Sequence, residues 1–150
     1  MQILQIMENK KQYLDLLLLA DEQERQIDRY LERGDMFVLL DNGVKAECVV
    51  TREGDGVCEI KNIATAPASQ KMGYGKKLIL FLFSHYADCA TFFVGTGESP
   101  LTIPFYEHCG FRRSHRVKNF FLNHYDHPIF EQGVRLIDMI YLRWDRPKRE

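Results

Sequence analysis

The sequence has no C-x-x-C pair; its four cysteines, Cys48, Cys58, Cys89 and Cys109, are scattered. That excludes the usual zinc-binding and thioredoxin-type spacings and predicts reduced, partly buried thiols. Neither sign of charge dominates: 20 Lys and Arg face 21 Asp and Glu, for a formal net charge of −1. Without a polybasic block, no nucleic acid and no anionic membrane surface is expected as a partner. Long apolar runs are missing too. Residues 16–20 and 78–83 are too short to span a bilayer, and residues 1–7 lack the basic flank and apolar stretch of a secretory signal. A soluble, cytoplasmic protein is the expectation. No repeats or low-complexity linkers interrupt the chain, and residues 146–150 read as a solvated tail. What is present is ordinary globular composition, 45% hydrophobic and 27% charged over 150 residues, the size of one domain with a real core.

Residues 1–7 alternate like a short strand. Residues 10–20 and 21–33 read as two helices; Ile27, Tyr30 and Leu31 make an apolar stripe in the second, and Gly34 ends it. Segments 35–40 and 44–51 flank Asp41-Asn42-Gly43, and Asn-Gly supplies the positive φ angles of a tight hairpin. Gly54-Asp55-Gly56 turns the chain into a strand at 57–66. A helix at 75–86 puts Leu78, Phe81, Leu82 and His85 on one face. Ile79, Leu80 and Phe83 make the rest apolar, so burial is expected. A short strand at 91–95, a helix at 102–108 stopped by Gly110, and strands at 111–122 and 135–142 complete the chain. The order β-αα-βββ-α-β-α-ββ predicts an α/β (α+β) fold, a mixed sheet with helices on both faces.

Between strand and helix lies Ser69-Gln70-Lys71-Met72-Gly73-Tyr74-Gly75-Lys76-Lys77. Two glycines around a tyrosine, flanked by lysines, look like a phosphate loop. A dinucleotide fingerprint requires G-x-G-x-x-G in the first β-α unit, but its third glycine falls on Leu78 and the loop follows the fourth strand. A Walker A loop requires a Ser or Thr at Lys77 and a Gly at Gln70. The pattern that fits is Q/R-x-x-G-x-G/A, three residues after Pro67. Gly73 and Gly75 have no Cβ, so successive N–H groups can converge on a pyrophosphate, and the helix start favours an anion.

This motif resembles the central motif of the GNAT superfamily of N-acetyltransferases. Phe105-Tyr106-Glu107-His108-Cys109-Gly110-Phe111 resembles the F-Y-x-x-x-G-F segment of the same family, and the predicted element order agrees over nearly the whole chain. The resemblance implies a single domain over residues 1–150, with a mostly antiparallel sheet of about seven strands. It implies acetyl-CoA as co-substrate, an amine of a small molecule or peptide as acceptor, and direct transfer in a ternary complex. It places the coenzyme on Gln70, Lys71, Met72, Gly73, Tyr74, Gly75 and Lys76, and on the strand end Ile63, Ala64 and Thr65. Thr65 stands where the family usually has valine. Glu98 stands near the family's usual asparagine, which leaves Ser99 as a substitute contact. A homodimer is common in the family.

Acetyl transfer needs a neutral amine and a protonated leaving thiolate, which is general base and general acid work. Tyr106 matches the family's general acid; the other reading is a core tyrosine at a helix end. Glu59 matches a catalytic glutamate of some members. It shares a strand face with Lys61, so an ion pair is the other reading, with water relaying the proton. Asp126 and Glu131, with Asp138, either attract a cationic amine or are ordinary turn carboxylates. Arg112, Arg113 and Arg116 either meet the coenzyme's 3′-phosphate or line a solvated strand edge. His124, Asp126 and His127 lack the flanking ligands of a metal site, and none is expected. A non-catalytic acyl-CoA sensor and an ATP-binding protein are the rival functions. Tyr106 weighs against the sensor.

Overall fold

The computed structural model describes residues 1–148, so Arg149 and Glu150 of the tail lie outside it. Two compact units divide at Cys89/Ala90. Among the described residues no helix is long and apolar enough to cross a membrane.

In the first unit, β1 (Gln2–Ile6), β2 (Asp35–Leu40), β3 (Val44–Gly54) and β4 (Val57–Thr65) pair antiparallel in that order. The expected hairpin joins β2 to β3, with Asn42 at φ 57° and Gly43 at φ 99°. One face is covered by α1 (Leu14–Ala20), whose Leu17 joins Tyr30, Met36, Val38 and Val49 in one buried cluster. The opposite face is covered by α3 (Tyr74–His85), where Phe81 and His85 meet the Phe37 ring of β2 at 5.2 and 5.1 Å. The helix's expected burial is met at Leu78, Ile79, Leu82 and Phe83, whereas Phe81 is half-buried and Leu80 and His85 are exposed.

The helix expected at 21–33 shrinks to α2 (Glu24–Ile27), followed by turns to Gly34. Lys10 is buried against this segment. Its Nζ donates to the carbonyls of Leu31, Glu32 and Gly34 at 2.9, 3.3 and 2.7 Å, gathering the segment's end around one ammonium. Gly34 is also pressed onto the sheet: a Cβ there would meet Val49 Cγ1 at 2.7 Å and the Tyr30 carbonyl at 2.9 Å.

The β3–β4 ladder holds an irregularity. Val49 pairs with Asn62 and Val50 with Ile60, so Lys61 is an extra residue. This bulge exchanges the faces of β4. Before it, Cys58 points to Cys89, beyond α3; after it, Asn62 donates to the Leu17 carbonyl of α1 at 3.0 Å.

In the second unit, β5 (Thr91–Gly97) leads to α4 (Thr102–His108), β6 (Arg112–Val117) and α5 (Phe120–His124). The hairpin of β7 (Phe130–Glu131) and β8 (Val134–Arg135) precedes β9 (Met139–Asp145). β9 pairs antiparallel with both β5 and β6. Gly95 and Gly97 let β9's side approach closely; a Cβ would strike Met139 and Leu136. The strand expected at 111–122 stops at Val117. Asn119 turns left-handed at φ 57° and its N–H donates to Asp138 at 2.9 Å, which starts α5 instead. The last strand runs later than the expected 135–142, because Gln132 and Gly133, both at positive φ, fold residues 130–135 into the hairpin. The described architecture is the expected mixed α/β fold: four strands in one unit and three in the other, besides the short hairpin.

Glu47 of β3 is fully buried, and neither carboxylate oxygen has a hydrogen-bond partner. Burial holds its carboxyl well above the usual carboxylate range. In the unfolded chain the group ionises near its ordinary value, so its cost is absent below that pH and grows as pH rises toward the folded value. Glu47→Gln removes the titration. Its melting temperature should match wild type near pH 4 and exceed it by on the order of 5 °C near pH 8. A gap that does not widen with pH, measured by thermal unfolding, would contradict this.

Candidate functional site

The glycine loop begins where β4 ends. Pro67–Ser69 makes a single 3-10 turn, and the Gln70 side-chain amide donates to the Thr65 carbonyl at 3.3 Å, tying loop to strand end. Lys71 and Gly73 are both left-handed, at φ 65° and 86°. Such a conformation suits Gly73 and is rare for Lys71. Gly73 caps α3, and its carbonyl accepts the first helical bond, from Lys77 N–H at 3.0 Å. The N–H groups of Tyr74, Gly75 and Lys76 thus have no carbonyl within the helix. A Cβ built on Gly73 meets nothing within 4 Å, so open space lies over the turn. Lys71, Lys76 and Lys77 are exposed around it. Donors, helix end and cations together suit a pyrophosphate.

The Tyr74 side chain points elsewhere. It is buried, and its hydroxyl donates to Asp41 Oδ2 at 2.7 Å, anchoring the helix start to the β2–β3 turn. Only its backbone is available for an anion. The Met72 side chain is largely exposed. Ala64 is buried, while Ile63 and Thr65 are half-buried, and Ala64 sits opposite Glu47 in the ladder.

Glu59 lies on the α1 side of β4, opposite Thr51. Its Oε2 is 2.9 Å from Lys61 Nζ, with both side chains mostly buried. Burial raises the Glu59 carboxyl above its ordinary value, and Lys61 opposes the rise; Glu53 and Arg33 act more weakly, with opposite signs. A carboxylate whose pKa is raised holds a proton more strongly than a free one.

Sequence reasoning missed the polar line that continues from Glu59. Asn62 Nδ2 donates to the Tyr30 hydroxyl at 3.0 Å, and that hydroxyl donates to Asp21 at 3.1 Å. Glu47 lies on the same face. The signal was present as a glutamate inside the run Ala46-Glu47-Cys48-Val49-Val50, where a charge on a buried strand requires a reason.

In the second unit, Tyr106 lies on α4, 7% exposed, with its ring 5.2 Å from Phe105 and 6.0 Å from Phe111. Phe111 N–H donates to the Tyr106 carbonyl at 3.0 Å, so the F-Y-x-x-x-G-F segment closes on itself. Gly110, at φ 102°, makes that closure feasible. Ser99 is buried, and its hydroxyl accepts the Leu101 N–H at 3.2 Å, ahead of α4. Glu98 pairs with Arg116 at 3.0 Å. Asp138 accepts from Arg116 at 2.6 Å, and the Asn119 N–H and this arginine hold its carboxyl below the ordinary range. Arg112 pairs with Asp145 at 2.9 Å on the exposed strand β6. Asp126 pairs with His127 at 2.6 Å and lines a cavity of about 160 Å³ with Tyr125, Arg135 and Leu136. Glu131 is half-buried, which raises its carboxyl. Asp126 lines that cavity and Glu131 does not. Among the described residues no group of three His, Cys, Asp or Glu side chains is arranged to hold a metal.

Comparison with known proteins adds three findings. A family model described as an acetyltransferase (GNAT) domain matches residues 32–113. An uncharacterised N-acetyltransferase of Bacillus subtilis (strain 168), YvbK, is 36% identical over 142 residues, 92% of each chain. Two crystal structures superpose over 97% of this chain. One is a Bacillus subtilis acetyltransferase in complex with CoA, with 35% identity, TM-score 0.87 and 99% of that chain covered. The other is a GNAT family acetyltransferase from Elizabethkingia anophelis with acetyl-CoA bound, with 32% identity, TM-score 0.90 and 97% of that chain covered.

The Glu59–Lys61 pair can be tested without any substrate. Lys61→Met removes the cation that opposes burial, so the Glu59 carboxyl should titrate at still higher pH, followed by carbon-13 NMR. Lys61→Arg should largely restore it. An unchanged midpoint in Lys61→Met would contradict the pairing.

Proposed function

The chain belongs to the GNAT family of acetyltransferases, and we propose that it moves the acetyl group of acetyl-CoA to a primary amine of a small molecule or peptide. Transfer is direct, within a ternary complex, and residues 1–150 act as one catalytic domain. The observation that carries the coenzyme assignment is the left-handed turn at Gly73, with the N–H groups of Tyr74, Gly75 and Lys76 left over at the start of α3. The CoA and acetyl-CoA bound to the two related structures support the same choice.

When bound, the coenzyme supplies an activated thioester. The chain's residues do the rest. The loop N–H groups hold pyrophosphate, and Lys71 and Lys76 add positive charge. Backbone groups of Ile63, Ala64 and Thr65 take the pantetheine arm as an added strand would. Gln70 keeps loop and strand end in register through the Thr65 carbonyl. Ser99 offers a further polar contact to the coenzyme. Glu59, raised by burial and steadied by Lys61, takes the proton from the attacking amine. Tyr106, whose phenol is a proton donor, gives a proton to the departing sulfur. Asp126 and Glu131 draw in a cationic acceptor. Direct transfer leaves no role for a cysteine nucleophile.

The test is thiol release from acetyl-CoA with a panel of amines, using wild type and Tyr106→Phe. Wild type should turn over at least one amine. The variant should lose on the order of tenfold or more in kcat while binding acetyl-CoA nearly as well. An unchanged kcat would remove Tyr106 from the mechanism. Coenzyme binding with no turnover of any amine would mark the chain as a sensor.

A further inference from the structure

Cys58 lies on β4 and Cys89 follows α3, 31 residues later, yet their sulfur atoms are 2.7 Å apart. Both side chains are fully buried. A disulfide bond is about 2.05 Å long, so a small movement of two sulfurs separates this dithiol from a bond. Arg52, opposite Cys58 in the β3–β4 ladder, extends its Nη1 to 3.5 Å from Cys89 Sγ. The same guanidinium pairs with Asp88 at 2.8 Å, and its side chain is half exposed. The sulfur pair therefore lies beneath a surface ion pair.

We propose that Cys58 and Cys89 form a two-electron redox site, converted to an intrachain disulfide by a peroxide. Cys89, beside the Arg52 guanidinium, reacts first: its sulfur attacks one peroxide oxygen, the O–O bond breaks, and a sulfenic acid and one water result. The Cys58 sulfur then displaces the sulfenic oxygen as a second water, with the Cys58 thiol proton completing it. Two thiols and one hydrogen peroxide give one disulfide and two waters. Burial and the neighbouring Cys89 push the Cys58 thiol up to about 12, which suits it to the resolving role rather than the first attack.

The bond would close a loop that contains most of β4, the glycine turn and all of α3. Glu59 is the residue next to Cys58, and Gly73 lies within the closed loop. Oxidation thus ties together the frame on which both are carried. Disulfide formation here requires neither the acceptor nor acetyl transfer.

The experiment treats the native full chain with hydrogen peroxide, quenches it, alkylates it under denaturing conditions without reductant, and maps peptides by mass. The expected product is a Cys58–Cys89 linked peptide lighter by two hydrogens and abolished by dithiothreitol. Cys48 and Cys109 should be alkylated. The oxidised protein should melt higher by on the order of 5 °C, and Cys58→Ala or Cys89→Ala should show neither change. Four alkylated cysteines after treatment, over-oxidation of Cys89 without linkage, or linkage to another cysteine would overturn the proposal. The wild-type peptide map alone gives the decision where a variant fails to fold.

Discussion

The extra residue at Lys61 is the constraint on which the first unit turns. An unbroken ladder would keep the alternate residues of β4 on one side from end to end. With Lys61 inserted, Cys58 faces the end of α3 while Asn62 faces α1. The extra residue itself pairs with Glu59 at 2.9 Å, and both side chains are mostly buried. A bulge of this kind loosens regular pairing locally, and here it changes which face the side chains beyond it reach.

Beyond the bulge, the strand's other end is governed by backbone donors rather than side chains. Thr65 hands its carbonyl to Gln70, the chain turns left-handed at Lys71 and again at Gly73, and α3 starts with unmatched N–H groups. Side chains there secure the frame. Tyr74 is tied to Asp41 in the β2–β3 turn, so the helix start cannot drift from the sheet.

Elements with strong local signals were legible from the sequence. The Asn42-Gly43 hairpin, the β4–loop–α3 passage and the segment from Phe105 to Phe111 each carry their own turn chemistry. The failures have long-range causes. The apolar stripe of residues 21–33 is real, but the helix is short and the chain turns on to Gly34, where Lys10, remote in sequence, holds the carbonyls of Leu31 and Gly34. Asn119 and the Gln132-Gly133 turn break patterns that looked extended. Sequence placed Glu59 and Lys61 on one face as a candidate ion pair, and they do pair, but no periodicity announced the bulge at Lys61. Glu47 escaped notice because its neighbours are apolar, and that is the reason it is buried.

The binding of acetyl-CoA at the Gly73 turn is the central claim. Its most direct measurement is calorimetry of acetyl-CoA, and separately ATP, titrated into wild type and Gly73→Val, with circular dichroism to establish that the variant is folded. Acetyl-CoA should bind wild type more tightly than ATP, and a folded Gly73→Val should lose on the order of a hundredfold or more in affinity, since a branched Cβ both disfavours the left-handed turn and blocks backbone from pyrophosphate. Wild-type affinity in the folded variant, or tighter binding of ATP, would contradict it.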